Sequence, residues 1–190
     1  LPNVKHDWEY YEKLYPERKL NPGAMVTRYA PSPTGHVHIG NVFSALCDIW
    51  YANNSKGIAF LRIEDTDHNR EIENGVESIV EDLKNLNIKY DEGYSIGGIY
   101  GPYLQSERKD IYQAFAKKLI EEGNAYPCFC IKEDLDKTRE LQESKKTRIG
   151  YYGKYAKCRF LTQEQVIDKV NHGEKYIIRF KSPGSFYNKC

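Results

Sequence analysis

Between positions 26 and 63 the chain spells a strand, a rigid loop, a helix and a second strand, and few folds accept that order. Val26–Tyr29 is a short strand candidate, and Ala30-Pro31-Ser32-Pro33-Thr34-Gly35 follows it, where two prolines bar both a helix and a central strand. Across residues 41–54, Val42, Phe43, Leu46, Ile49 and Trp50 recur at i, i+1, i+4, i+7 and i+8, which is one apolar face of a helix. Asn41 is the expected N-cap, and Gly57 stands just past the end. Residues 58–63 then read as a buried strand. A strand, helix and strand so spaced form a βαβ unit, which requires a parallel sheet and a right-handed crossover. The expected class is α/β.

The rest of the chain adds to that unit. A helix is expected over 72–86, with Ile72, Val76, Ile79, Val80, Leu83 and Leu86 inward, and another over 107–122. Between them, residues 91–101 are rich in Gly and Tyr and read as a surface loop. Further on come a strand over 125–130, a charged helix over 132–143 and an irregular basic stretch over 147–157. Thr162 opens a helix with Gln165 as its capping-box partner, and residues 175–180 form a strand. Ahead of the body, Trp8, Tyr10, Tyr11, Leu14 and Tyr15 suggest a short amphipathic helix, followed by a turn at Asn21-Pro22-Gly23.

Composition removes several function classes. With 190 residues, 40% hydrophobic and 29% charged, the chain is one ordinary domain with room for a small insertion, and it can bury a core. Lys and Arg number 28 against 27 Asp and Glu, so bulk charge does not hold it on nucleic acid, though a local grip remains open. No run approaches the roughly 18 apolar residues of a membrane span. The five cysteines are an odd count, with two of them one residue apart, which suits a reducing, cytoplasmic setting better than a disulfide framework. Leu1 at the start, and an end soon after a strand-like run, read as a piece cut from something larger.

Two stretches concentrate chemistry. Arg28 through Asn41 carries a strand end, a Pro-stiffened turn, His36, His38 and Gly40 at the mouth of a helix N-terminus, where free N–H groups and the helix dipole welcome an anion. A stiff loop with surface histidines is the alternative. Leu61-Arg62-Ile63-Glu64-Asp65-Thr66-Asp67 leaves the second strand at its carboxyl end, where ligands of open α/β sheets collect. Taken alone, such an acidic cluster reads equally as a solvated loop.

Together with Gly101-Pro102-Tyr103-Leu104-Gln105-Ser106-Glu107-Arg108, in this order and spacing, these stretches resemble the bacterial glutamyl-tRNA synthetases, a class I aminoacyl-tRNA synthetase family. His38-Ile39-Gly40-Asn41 stands for the family's HIGH signature, with Asn41 a departure at the fourth position. The resemblance runs from about Val26 to Gly184. It implies a Rossmann-type parallel sheet that activates L-glutamate with ATP and Mg²⁺ and esterifies it to the 3′ end of tRNA(Glu). It further implies a cytoplasmic monomer and no membrane. The implied layout is an N-terminal extension over 1–24, the first half of the catalytic domain over 25–124, and the start of an inserted acceptor-end-binding subdomain over 125–190.

By motif position the resemblance gives Arg28, Ala30, Ser32 and Glu64 to glutamate, with Glu64 at the ammonium group. ATP falls to Pro31, Ser32, Pro33, Thr34, Gly35, His36, His38, Ile39, Gly40 and Asn41. Among these, His38, Gly40 and Asn41 form the catalytic signature, with His38 at the phosphates and Gly40 under the adenine. The family's second ATP signature, a Lys-Met-Ser-Lys-Ser-like loop, does not occur in the chain.

Cys128, Cys130 and Cys158 could hold Zn²⁺, although the one-residue spacing on a strand demands a kink; three ordinary reduced thiols are the alternative. Some relatives in the resembled family carry this set with a Tyr shortly before the last Cys or a His just after it. Lys154 and Phe160 occupy those counterparts here, which leaves Tyr155, Tyr152 or His172 as substitutes, with Tyr155 preferred. The basic run Lys145, Lys146, Arg148, Lys154, Lys157 and Arg159, interleaved with Tyr151, Tyr152 and Tyr155, could track RNA or simply be solvated surface. The resemblance implies contact with the tRNA acceptor end. Two other readings remain open: a glutamyl-queuosine tRNA(Asp) synthetase-like paralogue, and a non-catalytic RNA- or zinc-binding module of the same fold.

Overall fold

The computed structural model describes residues 4–182, so Gly184 and Cys190 lie outside the described residues. Contacts divide the chain into two compact units, Pro2–Ala114 and Phe115–Cys190. The division falls inside a helix, upstream of the boundary expected at 124, and residues 4–24 cluster with the sheet rather than apart from it.

In the first unit, β1 (Val26–Tyr29), β2 (Ile58–Leu61) and β3 (Glu92–Gly93) form a parallel sheet in the order β1-β2-β3. Val26 lies opposite Ile58 and Tyr29 opposite Leu61, while Phe60 and Leu61 face Glu92 and Gly93. The helix α1 (Trp8–Leu14) precedes the sheet, capped by the Asp7 side chain. The helix α2 (Ile39–Ser55) makes the crossover from β1 to β2, and α3 (Gly75–Asn85) the one from β2 to β3. The core gathers Tyr29, Ala45, Ala52, Ala59, Leu61, Ile63, Ile79, Leu83, Ile88 and Tyr90. Each large aliphatic side chain fully buried there contributes about 1.5–3 kcal/mol.

Several expectations are corrected. The buried seam of α2 is Ala45 and Ala52, flanked by Val42 and Ile49, while Phe43, Leu46 and Trp50 are exposed at 69%, 50% and 60%. Small alanines meet the sheet, so the bulky stripe next to them faces away. Residues 91–101 are not all loop, because their first residues pair as β3: the Tyr94 amide donates to the Leu61 carbonyl, and a Cβ at Gly93 would lie 2.6 Å from that oxygen. The helix α3 starts three residues late, since the Ile72 amide is bonded to the Pro33 carbonyl at 2.9 Å and Asn74 is left-handed. Gly57 does not terminate α2 by its own conformation. Lys56 takes the left-handed cap, and Gly57 makes room for Met25, whose carbonyl oxygen would be 1.8 Å from a Cβ.

In the second unit, β4 (Ala125–Cys128) and β5 (Ile177–Phe180) pair antiparallel, with Cys128 opposite Ile177. The helix α4 (Lys109–Glu121), within which the two units divide, precedes β4, and α5 (Lys132–Ser144) and α6 (Gln163–Asn171) lie between the strands in sequence. The capping box of α6 is Thr162 with Gln165, as the sequence indicates. Gln142, 1% exposed, closes the turn after α5 with two bonds to the Gly150 backbone at 2.8 and 3.0 Å. No helix among the described residues is long and apolar enough to cross a membrane.

Candidate active site

The residues after β1 and β2 leave the sheet side by side, because the two strands are parallel neighbours. The loop after β1 is tied down twice, by the Glu64 amide on the Pro31 carbonyl at 2.8 Å and by the Ile72 amide on Pro33. Pro31 and Pro33 are buried, whereas Ser32, Gly35 and His36 are exposed and Thr34 is half-buried. Rigid prolines thus anchor a loop whose polar members face solvent.

Arg28 on β1 and Glu64 past β2 meet at 2.6 Å, their side chains about one-third exposed at 35% and 34%. A cationic fork and a carboxylate side by side suit a zwitterion, one head for its carboxylate and the other for its ammonium group. Beyond Glu64, Asp65 is 9% exposed and accepts from the Ser106 amide at 2.9 Å and from its hydroxyl at 2.5 Å. The Ile63 amide donates to the Tyr103 carbonyl and the Gln105 amide to the Ile63 carbonyl, so the 103–106 segment continues the sheet beside the acidic strand end. The sequence offers both motifs but not this clamp between them.

His38, not Asn41, is the N-cap of α2. Its Nδ1 accepts from the Gly40 amide at 3.1 Å, and Asn41, three residues into the turn, accepts from the His38 amide at 3.0 Å. In the neutral ring that bond leaves the proton on Nε2, so exposed His38 presents an N–H donor beside the helix mouth. No acidic side chain in the first turn opposes the positive end of the dipole. A Cβ on Gly40 would lie 3.0 Å from the imidazole, so this glycine sets how closely the ring can fold over the first turn. Ile39 is 83% exposed at the same mouth. Ala30 lies beside Pro31 at the foot of the loop.

In the second unit Cys128, Cys130 and Cys158 bring their sulfurs within 4.8 Å of one another. Cys130 and Cys158 are 3.6 Å apart, close to the edge of about 3.8 Å in a tetrahedron with Zn–S bonds of about 2.3 Å. The phenol at this cluster is Tyr151, not Tyr155: its oxygen is 3.3 Å from Cys128 and 3.2 Å from Cys130. Tyr155 packs edge-on against Tyr152. Burial favours the neutral Cys128 thiol, but bonds with Tyr151, the Cys130 backbone and Arg179 outweigh it and bring the group down to about 7. Burial and its neighbours push Cys130 up to about 11. This donor set fits a soft divalent cation.

Lys145, Lys146, Arg148, Lys154 and Lys157 are exposed, and Arg159 is half-buried with a bond to the Ser182 carbonyl. The Arg179 guanidinium covers the Tyr151 ring at 4.3 Å, so of the three interleaved tyrosines Tyr151 belongs to the cysteine cluster.

Residues 24–189 match the family model of tRNA synthetases class I (E and Q), catalytic domain. The chain belongs to this family. Glutamate–tRNA ligases of Clostridium beijerinckii and Acetivibrio thermocellus are 50% and 48% identical to it, over 96% and 97% of its length. A solved glutamate tRNA ligase from Elizabethkingia meningosepticum, in complex with its amino acid, is similar over 84% of the chain with a TM-score of 0.75 and 36% identity. The chain spans about a third of the length of each: 34% and 35% of the two relatives and 33% of the solved chain. The parallel sheet, the His38-Ile39-Gly40-Asn41 helix mouth and the strand-end carboxylates all lie within the matched residues.

Proposed function

We propose that this chain is the amino-terminal catalytic segment of a glutamate–tRNA ligase, which activates L-glutamate with Mg²⁺-bound ATP and passes the glutamyl group to the 3′ end of tRNA(Glu). The observation that carries this reading is the Arg28–Glu64 pair at two adjacent strand ends, with the loop that leaves β1 running into a helix mouth capped by His38. Arg28 binds a carboxylate of glutamate, Ala30 and Ser32 border it, and Glu64 takes the ammonium group. Residues 31–41 carry ATP, with His38 turned to the phosphates and Gly40 under the adenine.

No protein nucleophile is needed. A carboxylate oxygen of glutamate attacks the α-phosphorus in line, the new O–P bond forms, and pyrophosphate departs with the electrons of the bond it leaves. A hydroxyl of the terminal ribose then attacks the acyl carbon and expels AMP. The protein contributes placement and charge stabilisation.

The stretch from 125 onward begins an acceptor-end-binding insertion in this reading, with Lys145, Lys146, Arg148, Lys154, Lys157 and Arg159 on the RNA backbone. Cys128, Cys130, Cys158 and Tyr151 hold Zn²⁺ there, which would clamp the β4 end to the 151–158 segment. The enzyme works in the cytoplasm as a monomer. For the metal, Tyr151→Phe is expected to lower zinc retention against a competing chelator by roughly tenfold, since outer or weak ligands typically account for 10–100-fold in affinity. Tyr155→Phe should leave retention unchanged; metal content after dialysis decides between them.

The function is tested by amino-acid-dependent ATP–pyrophosphate exchange in the full-length enzyme. Glutamate is expected to support exchange, and exchange driven by a different amino acid would sink the reading. The 190-residue chain alone, which carries no Lys-Met-Ser-Lys-Ser-like loop, should show little exchange.

A further inference from the structure

Residues 4–23 precede the stretch that matches the family model, which begins at 24. They are nonetheless bound to the first unit by specific polar contacts. Arg18 grips Glu92 with both arms of its guanidinium, at 2.6 and 2.7 Å, and the two side chains are only 17% and 16% exposed. The guanidinium lies 3.7 Å from the centre of the Tyr100 ring, and the Tyr100 hydroxyl donates to the Pro16 carbonyl at 2.9 Å. A forked, stacked arginine between partly desolvated partners is far more specific than a surface ion pair.

Glu92 is also the point where this grip passes on. The Tyr103 hydroxyl, in a residue 7% exposed, donates to the same carboxylate at 2.8 Å. Burial, and then this bond, push the phenol up to about 12, so it remains a donor across the working pH range. A Cβ at Gly98 would fall 2.3 Å from that hydroxyl, so the loop closes tightly over it. The backbone of Tyr103 in turn accepts from Ile63, and Ser106 is held by Asp65, the two residues that flank Glu64.

We propose that Arg18 is a positioning residue for the amino-acid site: the N-terminal arm, through Glu92 and Tyr103, fixes the 103–106 segment that holds Glu64 opposite Arg28. The inference rests on the reading of Arg28 and Glu64 as the glutamate site. It makes the arm a working part of the enzyme.

Two measurements test it. In the full-length enzyme, Arg18→Ala should speed amide exchange at Ile63, Gln105 and Ser106 by about tenfold, with α6 unchanged. In the full-length enzyme the same substitution should raise KM for glutamate about tenfold, with KM for ATP within about twofold. Arg18→Lys should recover part of the loss, because it keeps the charge but not the fork. Glu92→Gln should match Arg18→Ala, and the double variant should be no worse than either. Should Arg18→Ala fail to fold, Tyr103→Phe deletes a single hydroxyl bond from the same path and should show the same pattern at smaller size.

Wild-type exchange rates at those three amides in a folded variant would overturn the proposal. So would a parallel rise in KM for glutamate and ATP, which marks general loosening. If the wild-type enzyme does not activate glutamate, the functional reading fails, while the amide rates still decide whether the arm holds the strand end.

Discussion

Arg28→Ala is expected to lower glutamate-dependent ATP–pyrophosphate exchange by roughly 100-fold, mostly through KM for glutamate. A hydrogen bond to a charged group is worth about 1.5–3 kcal/mol, and each 1.4 kcal/mol is a factor of ten. Loss of Arg28 also leaves the Glu64 carboxylate facing the incoming carboxylate without its cation. A structural explanation would assign the same residue to stability, because Arg28 and Glu64 are paired at 2.6 Å. The exchanged pair Arg28→Glu with Glu64→Arg separates the two. It restores an ion pair between the strand ends but reverses which head meets the carboxylate. Thermal stability should return close to wild type, since a pair one-third exposed carries little stability, while exchange should stay low. Recovery of activity in the exchanged pair would remove Arg28 from the glutamate site.

Gly57→Ala should be the most damaging small substitution in the sheet. Its Cβ would sit 1.8 Å from the Met25 carbonyl oxygen, which accepts the Ile58 amide at 3.0 Å and so starts the pairing of β1 with β2. Backbone has to move, and the register of the pair moves with it. A loss of about 3 kcal/mol or more is expected, equivalent to a fall in Tm of roughly 10 °C for a chain of this size. Gly35→Ala is the control, since nothing lies within 4 Å of its Cβ. Its Tm should remain within about 1 °C of wild type. Equal melting of the two variants would mean that the contact of Gly57 with Met25 does not hold the strands together.

How far the sequence could be read depends on how local each determinant is. Val26–Tyr29 and the start of β2 were legible from short apolar runs, and the α6 cap from Thr162 and Gln165, because those signals need only neighbouring residues. The α2 helix was legible but its buried face was not: positions 42, 45, 49 and 52 and positions 43, 46 and 50 are both helical stripes, about 100° apart. Size favours a face of 42, 43, 46, 49 and 50, whereas close approach to the sheet selected the alanines at 45 and 52. The strand β3 left no periodic trace, since only Glu92 and Gly93 pair and the backbone alone makes the ladder. In the candidate site, Arg28, His38 and Glu64 were marked by motif. The Asp65–Ser106 clamp joins residues 41 apart and could not be. Tyr151 stands seven residues before Cys158, and only the turn through Gly153 decides which phenol reaches the sulfurs.

By itself the sequence determined the βαβ order, the Pro-stiffened loop, the charged strand ends and the family, all properties of contiguous residues whose backbone preferences and spacing act locally. The tertiary structure alone decided which side of α2 is buried, which tyrosine joins the three cysteines, and that Arg18 reaches Glu92 across 74 residues. Those choices depend on close approach between segments far apart in the chain, where a single carbonyl or ring in the way outweighs any local preference.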